Sequence, residues 1–158
     1  MEASRVSRER LVIGRLSATR FLLGLMLAVS GGSKICNIWV FAEAVQQYHI
    51  LPSWLLGVGA VCLPGVELVC GLCLLAGGSL LPGAALLTAG LSALFLLANI
   101  SALIRGLNVS CGCFGLTVAQ SWQVGWPHVA LNISMLGLAL FLCKESQENR
   151  VGANKTVY

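Results

Sequence analysis

The fold is decided by residues 54–104, which read WLLGVGAVCLPGVELVCGLCLLAGGSLLPGAALLTAGLSALFLLANISALI. Glu67 is the only Asp, Glu, Lys or Arg in this stretch. The two apolar runs, 54–76 and 80–104, are each long enough to cross a hydrocarbon layer as a helix, which takes about 20 residues. Gly77-Gly78-Ser79 supplies a tight turn between them. The stretch therefore predicts two membrane-spanning helices joined by a short connection.

The remainder of the chain has the same apolar character. Of its 158 residues, 57% are hydrophobic and only 10% are charged, and the mean hydropathy is +0.85. A water-soluble domain carries about 25% charged residues. Two further apolar segments, 16–35 and 127–143, complete a set of four predicted spans. Because long Leu, Ala and Gly runs favour helices over the short strands of a membrane barrel, we predict an all-α integral membrane protein. It is a bundle of four transmembrane helices over residues 16–143, and its net charge of +4 does not indicate nucleic-acid binding.

The positions of Lys and Arg predict the orientation of the bundle. Eight of the ten basic residues lie near the N-terminus, up to Arg20, or in the C-terminal tail. The other two, Lys34 and Arg105, lie at the opposite ends of their spans. Basic residues concentrate on the cytoplasmic side of membrane proteins. We therefore expect the arm 1–15 and the tail 144–158 to be cytoplasmic, and the two longer connections to face outward.

Several segments outside the spans carry local expectations. Residues 41–48 predict a short amphipathic helix at the interface, ended by Leu51-Pro52. Trp122 and Trp126 are expected to lie at the interface, at the entrance of the fourth span. The polar tail from Glu145 to Tyr158 is expected to be frayed.

Cys111 and Cys113 lie in the sequence Ser-Cys-Gly-Cys-Phe-Gly on the predicted outward connection between the third and fourth spans. Their Cα atoms could come within the roughly 4.4–6.8 Å that a disulfide tolerates if the intervening glycine lets the backbone turn. Such a small ring would be strained, and strained exposed disulfides are oxidising and labile. Arg105 and His128 flank the same connection and could stabilise a thiolate. The leading interpretation is a redox-active pair.

Two alternatives for this pair stay open. A static disulfide could join the two cysteines, or link one of them to Cys36 at the outward end of the first span. A metal site has little support, because two thiolates with His128 or His49 do not have zinc-ligand spacing, and no metal is predicted. Cys62, about 12 Å below Trp54 along its helix, is a weak candidate for a thiol relay.

Cys70-Gly-Leu-Cys73 has the spacing of a redox motif, but its depth argues against that role. Cys70 is sixteen residues beyond Trp54, or about 24 Å at 1.5 Å per residue. It therefore lies in the inner half of a hydrocarbon layer about 30 Å thick. Because buried thiols without cationic neighbours behave as small hydrophobic groups, we expect Cys70 and Cys73 to pack in the core.

Glu67 is the most anomalous residue of the spans, because an intramembrane carboxylate is costly unless it is neutralised or paired. Pro64, just before it, frees a backbone carbonyl and could kink the helix. One interpretation of Glu67 is a proton-handling or quinone-facing acid. The other is a protonated carboxyl group that is hydrogen-bonded to Asn99 or Ser101. Lys34 is expected to extend from the end of the first span to the interface.

Several of these motifs occur together in one family of membrane proteins. They are Arg20-Phe-Leu-Leu-Gly, Gly31-Gly-Ser-Lys34, Pro64-Gly-Val-Glu67-Leu, and Arg105-Gly followed by Cys111-Gly-Cys-Phe-Gly115. Over about residues 15–143 the chain resembles the MauE branch of the DoxX-like membrane proteins, and the Cys-Gly-Cys-Phe-Gly signature is the most specific part. The resemblance implies that Cys111 and Cys113 match the family's redox-associated pair and that Glu67 matches its intramembrane acid. It implies no role for Cys36, Cys62, Cys70 or Cys73.

The resemblance also implies a place and a partner. It implies a bacterial inner-membrane protein that supports disulfide formation or transport while a methylamine dehydrogenase subunit matures, beside a periplasmic thioredoxin-like protein. We predict a thiol–disulfide redox module in which Cys111 and Cys113 exchange electrons between that partner and a membrane acceptor such as a quinone. The alternative is a non-catalytic scaffold or assembly subunit with a structural disulfide, in contact with lipids and other subunits. A proton-coupled transporter is disfavoured, because the chain has no evident internal repeat.

Overall fold

The computed structural model describes the backbone of residues 2–49, 52–107 and 126–155, and the side chains of 14–49, 52, 54–107 and 126–147. The helices are, in chain order, α1 (Glu2–Cys36), α2 (Ile38–Gln47), α3 (Ser53–Ala76), α4 (Leu81–Ile104) and α5 (Trp126–Lys155), with a 3₁₀ turn (Gly78–Leu80) before α4. All regular elements in the described ranges are helical, which confirms the predicted all-α class.

Four of the helices are long and apolar enough to cross a membrane. The apolar segments are Gly14–Cys36, Trp54–Ala76, Gly78–Ile104 and Trp126–Gln147. They agree with the predicted spans to within a few residues at each end. Large apolar side chains cover their outer faces, as at Leu86, Leu97 and Ile104, which are 67%, 68% and 81% exposed. Because such a surface suits lipid rather than water, the chain is a multi-pass membrane protein.

The bundle consists of two closely packed pairs of helices. α1 packs along α3, α4 packs along α5, and a tight turn at Gly77 and Gly78 brings α3 and α4 together. Both glycines have positive φ, 71° and 64°, a conformation that residues with side chains rarely adopt. Leucine and alanine fill most of the space between the helices. The buried core comprises Leu23, Leu27, Cys70, Leu74, Leu81, Ala84, Ala85, Ala89, Ala139 and Leu142.

Glycines determine the register between α1 and α3. A Cβ atom at Gly31 would lie 2.7 Å from the backbone nitrogen of Leu68, and one at Gly71 would lie 2.6 Å from that of Ala28. Only glycine permits the two backbones to approach so closely. Because the two helices are antiparallel, these contacts align Gly31 with residues 64–68 of α3.

A consequence of this register is that α1 ends before it reaches the level at which α3 begins. Cys36, five residues beyond Gly31, is level with about residue 61 of α3. Trp54, at the entrance of α3, is therefore roughly 10 Å further out at 1.5 Å per residue. Cys36 is the last residue of the first apolar segment, as predicted, but it does not reach the level at which α3 begins.

The short helix α2 continues from this depth toward the end of the bundle at which α3 begins. The chain breaks its helical course at Asn37 and resumes at Ile38, with Phe41 and Ala44 buried. A helix was predicted at residues 41–48, and its existence is confirmed. Its buried face packs against α3 and α1, so it forms part of the wall of the bundle.

The helices at the two ends of the chain extend beyond the apolar spans, and at the C-terminal end this differs from the expectation. At the other end of the bundle, the guanidinium group of Arg20 lies against Gly77, and the helical backbone of α1 begins well before that point, at Glu2. The helix α5 continues to Lys155, so the predicted fraying of the tail is wrong as far as that residue. Residues 145–155 contain no proline and one glycine, so the sequence offers little that would end the helix earlier.

Candidate functional site

An ion pair joins α1 and α3 inside the bundle. Lys34 Nζ lies 2.7 Å from Oε2 and 2.8 Å from Oε1 of Glu67, and the two side chains are only 2% and 4% exposed. Glu67 is thirteen residues beyond Trp54 along α3, which corresponds to about 20 Å. Since the hydrocarbon layer is about 30 Å thick, the pair lies well inside it.

Two phenyl rings and a hydroxyl group surround the pair. Lys34 Nζ is 5.2 Å from the ring centre of Phe41 on α2 and 4.7 Å from that of Phe95 on α4, within the range of a cation–π interaction. The Ser30 side chain, on α1, hydrogen-bonds to Glu67. Phe95 lies ten residues before Arg105 on α4, or about 15 Å below it. A second helix therefore also places the ammonium group near the middle of the membrane.

This geometry overturns two expectations from the sequence. Lys34 does not extend to the interface, because its side chain turns to Glu67 and is only 2% exposed. The carboxyl group of Glu67 is not hydrogen-bonded to Asn99 or Ser101; it contacts Lys34 and Ser30. The role of Glu67 as a proton-handling acid stays a prediction.

A cavity of about 30 Å³ lies beside the ion pair. Its polar wall is formed by side chains from α1, α3, α4 and α5, namely Ser30, Lys34, Glu67, Ser92 and Asn132. Its apolar wall is formed by Met26, Leu27, Leu91, Phe95, Leu131 and Met135. A space of this size accommodates about two water molecules. The site can therefore hold small polar molecules next to a buried acid and a buried base.

A second polar cluster ties the end of α2 to the end of α4. The Tyr48 hydroxyl donates a hydrogen bond to Asn99 Oδ1 at 3.0 Å, and Arg105 Nη1 donates to the Tyr48 carbonyl oxygen at 2.9 Å. Burial raises the pKa of Tyr48 to about 12, so the hydroxyl keeps its proton and remains a donor at neutral pH. Asn99 was a predicted partner of Glu67, but its side chain hydrogen-bonds to Tyr48 at the end of α2 instead.

The two predicted thiolate-stabilising residues flank the connection between α4 and α5. Arg105 is exposed and caps the C-terminal end of α4, while His128 is half-buried in the first turn of α5. His128 Nδ1 is buried and has no hydrogen-bond partner among the residues that the structure describes. Its carbonyl oxygen accepts a hydrogen bond from Asn132 Nδ2 at 3.1 Å. Asn132 thus links this turn of α5 to the cavity beside the ion pair.

The thiols of the described segments divide by burial. Cys70 is buried in the core and Cys73 packs against the same cluster, which confirms the prediction that both pack in the core. Cys36 and Cys62 are exposed on the outer faces of α1 and α3. Within the described part of the chain, no group of three or more His, Cys, Asp or Glu side chains could hold a metal ion.

Comparison with known proteins assigns the chain to a family. The family described as "Methylamine utilisation protein MauE" matches residues 14–144. The chain belongs to the MauE family. Relatives named "Methylamine utilization protein MauE" occur in Methylophilus methylotrophus and Paracoccus denitrificans. The first is 31% identical over 121 residues, which are 76% of this chain and 63% of the relative. The second is 31% identical over 126 residues, 79% of this chain and 66% of the relative.

The match to MauE proteins extends across the site but not across the full length of these relatives. This chain covers just under two thirds of each. The matched range includes both partners of the ion pair, the cluster around Tyr48 and the connection that carries Cys111 and Cys113. Those two cysteines lie outside the described residues, so their predicted pairing and redox role stay predictions. No solved structure shows significant similarity to the chain.

Proposed function

We propose that this MauE family member is a thiol–disulfide redox module of a bacterial inner membrane and that it acts in methylamine utilisation. The observation that carries the proposal is the family match over residues 14–144, because that range includes the Cys-Gly-Cys sequence between α4 and α5. Basic residues at both termini predict that this connection faces the periplasm. Disulfides form and persist in that compartment.

The reaction begins with a reduced thioredoxin-like protein in the periplasm. A thiolate of that protein attacks one sulfur of the Cys111–Cys113 disulfide, which forms a mixed disulfide and releases the other cysteine as a thiolate. The second thiolate of the partner then breaks the mixed disulfide. The partner leaves oxidised, with a disulfide that it can pass to a maturing enzyme, and Cys111 and Cys113 are both reduced.

Arg105 and His128 are the residues that we propose to assist the released thiolate. Both lie at helix ends that bound the connection, and a cationic or hydrogen-bonding neighbour stabilises a thiolate. The Arg105 side chain already donates one hydrogen bond to the Tyr48 carbonyl, which holds it at the end of α4, and its guanidinium group has further donors.

The cycle closes when the dithiol is oxidised by a membrane acceptor, and we propose a quinone. The quinone takes two electrons and two protons from Cys111 and Cys113 and leaves as the quinol, while the disulfide forms again. Glu67 lies about 20 Å below the level of Trp54 by helix rise. Its proposed contribution is therefore to proton exchange at mid-depth.

The experiment that tests the proposal is a redox titration of the cysteines in spheroplasts. Stepped dithiol buffers are followed by a membrane-impermeant maleimide, in wild type and in the Cys111→Ser and Cys113→Ser variants. We expect the pair to react from the outside with a midpoint typical of thioredoxin-like oxidants, and Cys113→Ser to trap a mixed disulfide. Cys73→Ser is the matched control, because that thiol packs in the core, and it should change neither result.

Two outcomes would contradict the proposal. A pair that stays oxidised until the protein is denatured would be a structural disulfide, and the protein would then be a scaffold for a redox enzyme. A pair that the maleimide reaches only from the cytoplasmic side would refute the orientation and the mechanism together. Equal loss of exchange in Cys113→Ser and Cys73→Ser would refute the assignment of the cysteines by depth.

A further inference from the structure

The end of the bundle at which α3 and α4 meet carries a cation that has no partner among the described residues. The guanidinium group of Arg20, on α1, lies so close to Gly77 that a Cβ atom at that glycine would overlap it. Its Nε is buried and has no hydrogen-bond partner among the described residues. No described acid pairs with it, Glu145 on α5 included. Because a donor that is shielded from water is costly unless it is hydrogen-bonded, this arrangement favours an anion from outside the chain.

A cleft between α3 and α4 begins at the same turn. Its volume is about 420 Å³, within the range of pockets that hold small molecules. Ser79 lies at the end near the turn, and the rest of the wall is apolar, with Val69 on α3 and Leu80 and Leu87 on α4. Leu87 is seven residues beyond Leu80, or about 10 Å deeper along the helix. The cleft therefore runs from the end of the bundle toward its middle.

The cleft is open to the lipid and close to the unpaired cation. Val69, Leu80 and Leu87 are each more than half exposed on the outer face of the bundle, so a hydrocarbon chain can enter from the side. Ser79 is two residues from Gly77, which limits the distance between their Cα atoms to about 7 Å. A ligand with a charged group at one end can therefore contact the guanidinium group and the cleft together.

We propose that this end of the bundle binds one anionic phospholipid, whose phosphate pairs with Arg20 and whose acyl chain lies in the cleft between α3 and α4. A guanidinium group binds phosphate through two parallel hydrogen bonds. The basic residues of the two chain termini predict that this end faces the cytoplasm, where basic pockets between helices bind the head groups of anionic lipids.

The order of the chemical groups favours a phospholipid over other membrane molecules. The cation lies at the end of the bundle, and the apolar wall continues inward from it, as the phosphate and the acyl chain of a lipid do. A quinone has an uncharged ring and would leave Arg20 without a counter-charge, and a free phosphate would leave the cleft unfilled. The lipid site takes no part in the thiol chemistry, so it stands or falls separately from the proposed function.

Native mass spectrometry of the full chain measures the lipid that the protein binds. The probes are phosphatidylglycerol and phosphatidylcholine with the same acyl chains, added to the delipidated protein in detergent. We expect one phosphatidylglycerol per chain, with a Kd about fivefold below that of phosphatidylcholine, because a basic residue near the surface contributes a factor of about this size. Equal Kd values for the two lipids in the wild type would overturn the proposal.

Substitution of the cation tests the head-group contact. Arg20→Gln should remove the preference for phosphatidylglycerol and leave the Kd of phosphatidylcholine unchanged, which also shows that the variant is folded. Arg15→Gln is the matched control, because Arg15 is an exposed basic residue of the same helix, and it should keep the preference. A preference that persists in Arg20→Gln would refute the pairing with phosphate.

A bulky side chain in the cleft tests the position of the acyl chain. Gly83 lies on the cleft wall, and a Cβ atom there meets nothing within 4 Å. Gly83→Phe should therefore abolish the one-to-one complex with either lipid. Gly137→Phe is the matched control, since that exposed glycine of α5 also has open space around it and lies outside the cleft wall. Binding that survives in Gly83→Phe would refute the cleft as the lipid site.

Two competitors identify other occupants. If a quinone displaces phosphatidylglycerol, the cleft holds an isoprenoid chain and the proposed lipid is wrong. If water-soluble glycerol phosphate displaces it completely, Arg20 binds a free anion and the acyl chain contributes nothing, which also overturns the proposal. Failure of the redox titration with these lipid results intact would refute the proposed function and leave the lipid site in place.

Discussion

Removal of one partner of the Lys34–Glu67 pair should destabilise the bundle more than an ordinary core substitution. Lys34→Met removes the ammonium group but keeps an apolar side chain of similar reach. In the wild type, that group makes contacts of 2.7 and 2.8 Å to the carboxylate and faces two phenyl rings. Loss of one partner of a buried pair costs about 3–5 kcal/mol, because the other charge is left uncompensated. Met can recover part of the lost packing, so we expect about 3 kcal/mol off the free energy of unfolding.

A double variant separates the contribution of the two charges to stability from the contribution of side-chain packing. Lys34→Met/Glu67→Leu removes both charges, and apolar replacements of a buried pair are often neutral or stabilising. We expect its free energy of unfolding to be within about 1 kcal/mol of the wild type, or higher. Each single substitution leaves one charge uncompensated and should cost about 3 kcal/mol, so the two should be strongly non-additive, with a coupling energy of about 5 kcal/mol between them.

Reversible unfolding in mixed detergent micelles, followed by circular dichroism, measures these free energies at fixed pH. Lys34→Met should regain stability as the pH falls, because a proton on Glu67 removes the uncompensated charge. The wild-type pair should not show this gain. A loss below about 1 kcal/mol in Lys34→Met, additive with Glu67→Leu, would mean that the two charges are separately solvated. That result would refute the buried pair.

Three other substitutions test the register, the Tyr48 cluster and the core. Gly71→Ala should cost about 1–3 kcal/mol in the same assay, because its Cβ would lie 2.6 Å from the Ala28 nitrogen, whereas Gly83→Ala, which meets nothing within 4 Å, should not. Burial raises the pKa of Tyr48 to about 12, above an unfolded value of about 10. Its stabilising contribution is therefore complete below pH 10 and is lost as the pH rises through 12, and Tyr48→Phe should abolish that part of the alkaline loss. Cys70→Ala should lower the free energy of unfolding by about 1 kcal/mol and leave the redox titration of the Cys-Gly-Cys pair unchanged.

The spans could be predicted from the sequence because apolar runs of this length with so few charges rarely occur outside membrane-spanning helices. The residues at which the helices end could not be predicted in this way. The polar part of α5, up to Lys155, has no hydrophobic period that would reveal a helix. The existence of α2 was predictable from its amphipathic pattern, but its contact with the ion pair through Phe41 was not.

The ion pair could not be predicted from either helix alone. Lys34 is two residues from the end of α1, and the depth of that end depends on the contacts that Gly31 makes with α3 and that Gly71 makes with α1. Such contacts are not visible in the periodicity of a single segment. The sequence did contain one indication, since Glu67 and Lys34 have opposite charges and both lie in spans where an unpaired charge is costly.

The predicted partnership of Glu67 with Asn99 could have been excluded from the sequence. The tight turn after Ala76 makes α3 and α4 antiparallel from a known point. Glu67, nine residues before that point, is therefore level with about residue 90 of α4. Asn99 is nine residues further along, or about 13 Å away along the axis. When a short turn joins two helices, the number of residues between a side chain and that turn therefore predicts its partners on the other helix better than its hydrogen-bonding chemistry does.

The charges of the pair are not needed to hold α1 against α3. Gly31 and Gly71 already bring the two backbones into contact, and apolar residues at both positions of the pair would pack there without the cost of burying two ions. Four helices nevertheless contribute polar side chains to one cavity at that depth. If Lys34→Met/Glu67→Leu is as stable as the wild type but no longer reoxidises its dithiol in nanodiscs with quinone, then the pair serves proton exchange. If the double variant cycles normally, the pair has no part in the redox reaction and serves the fold alone.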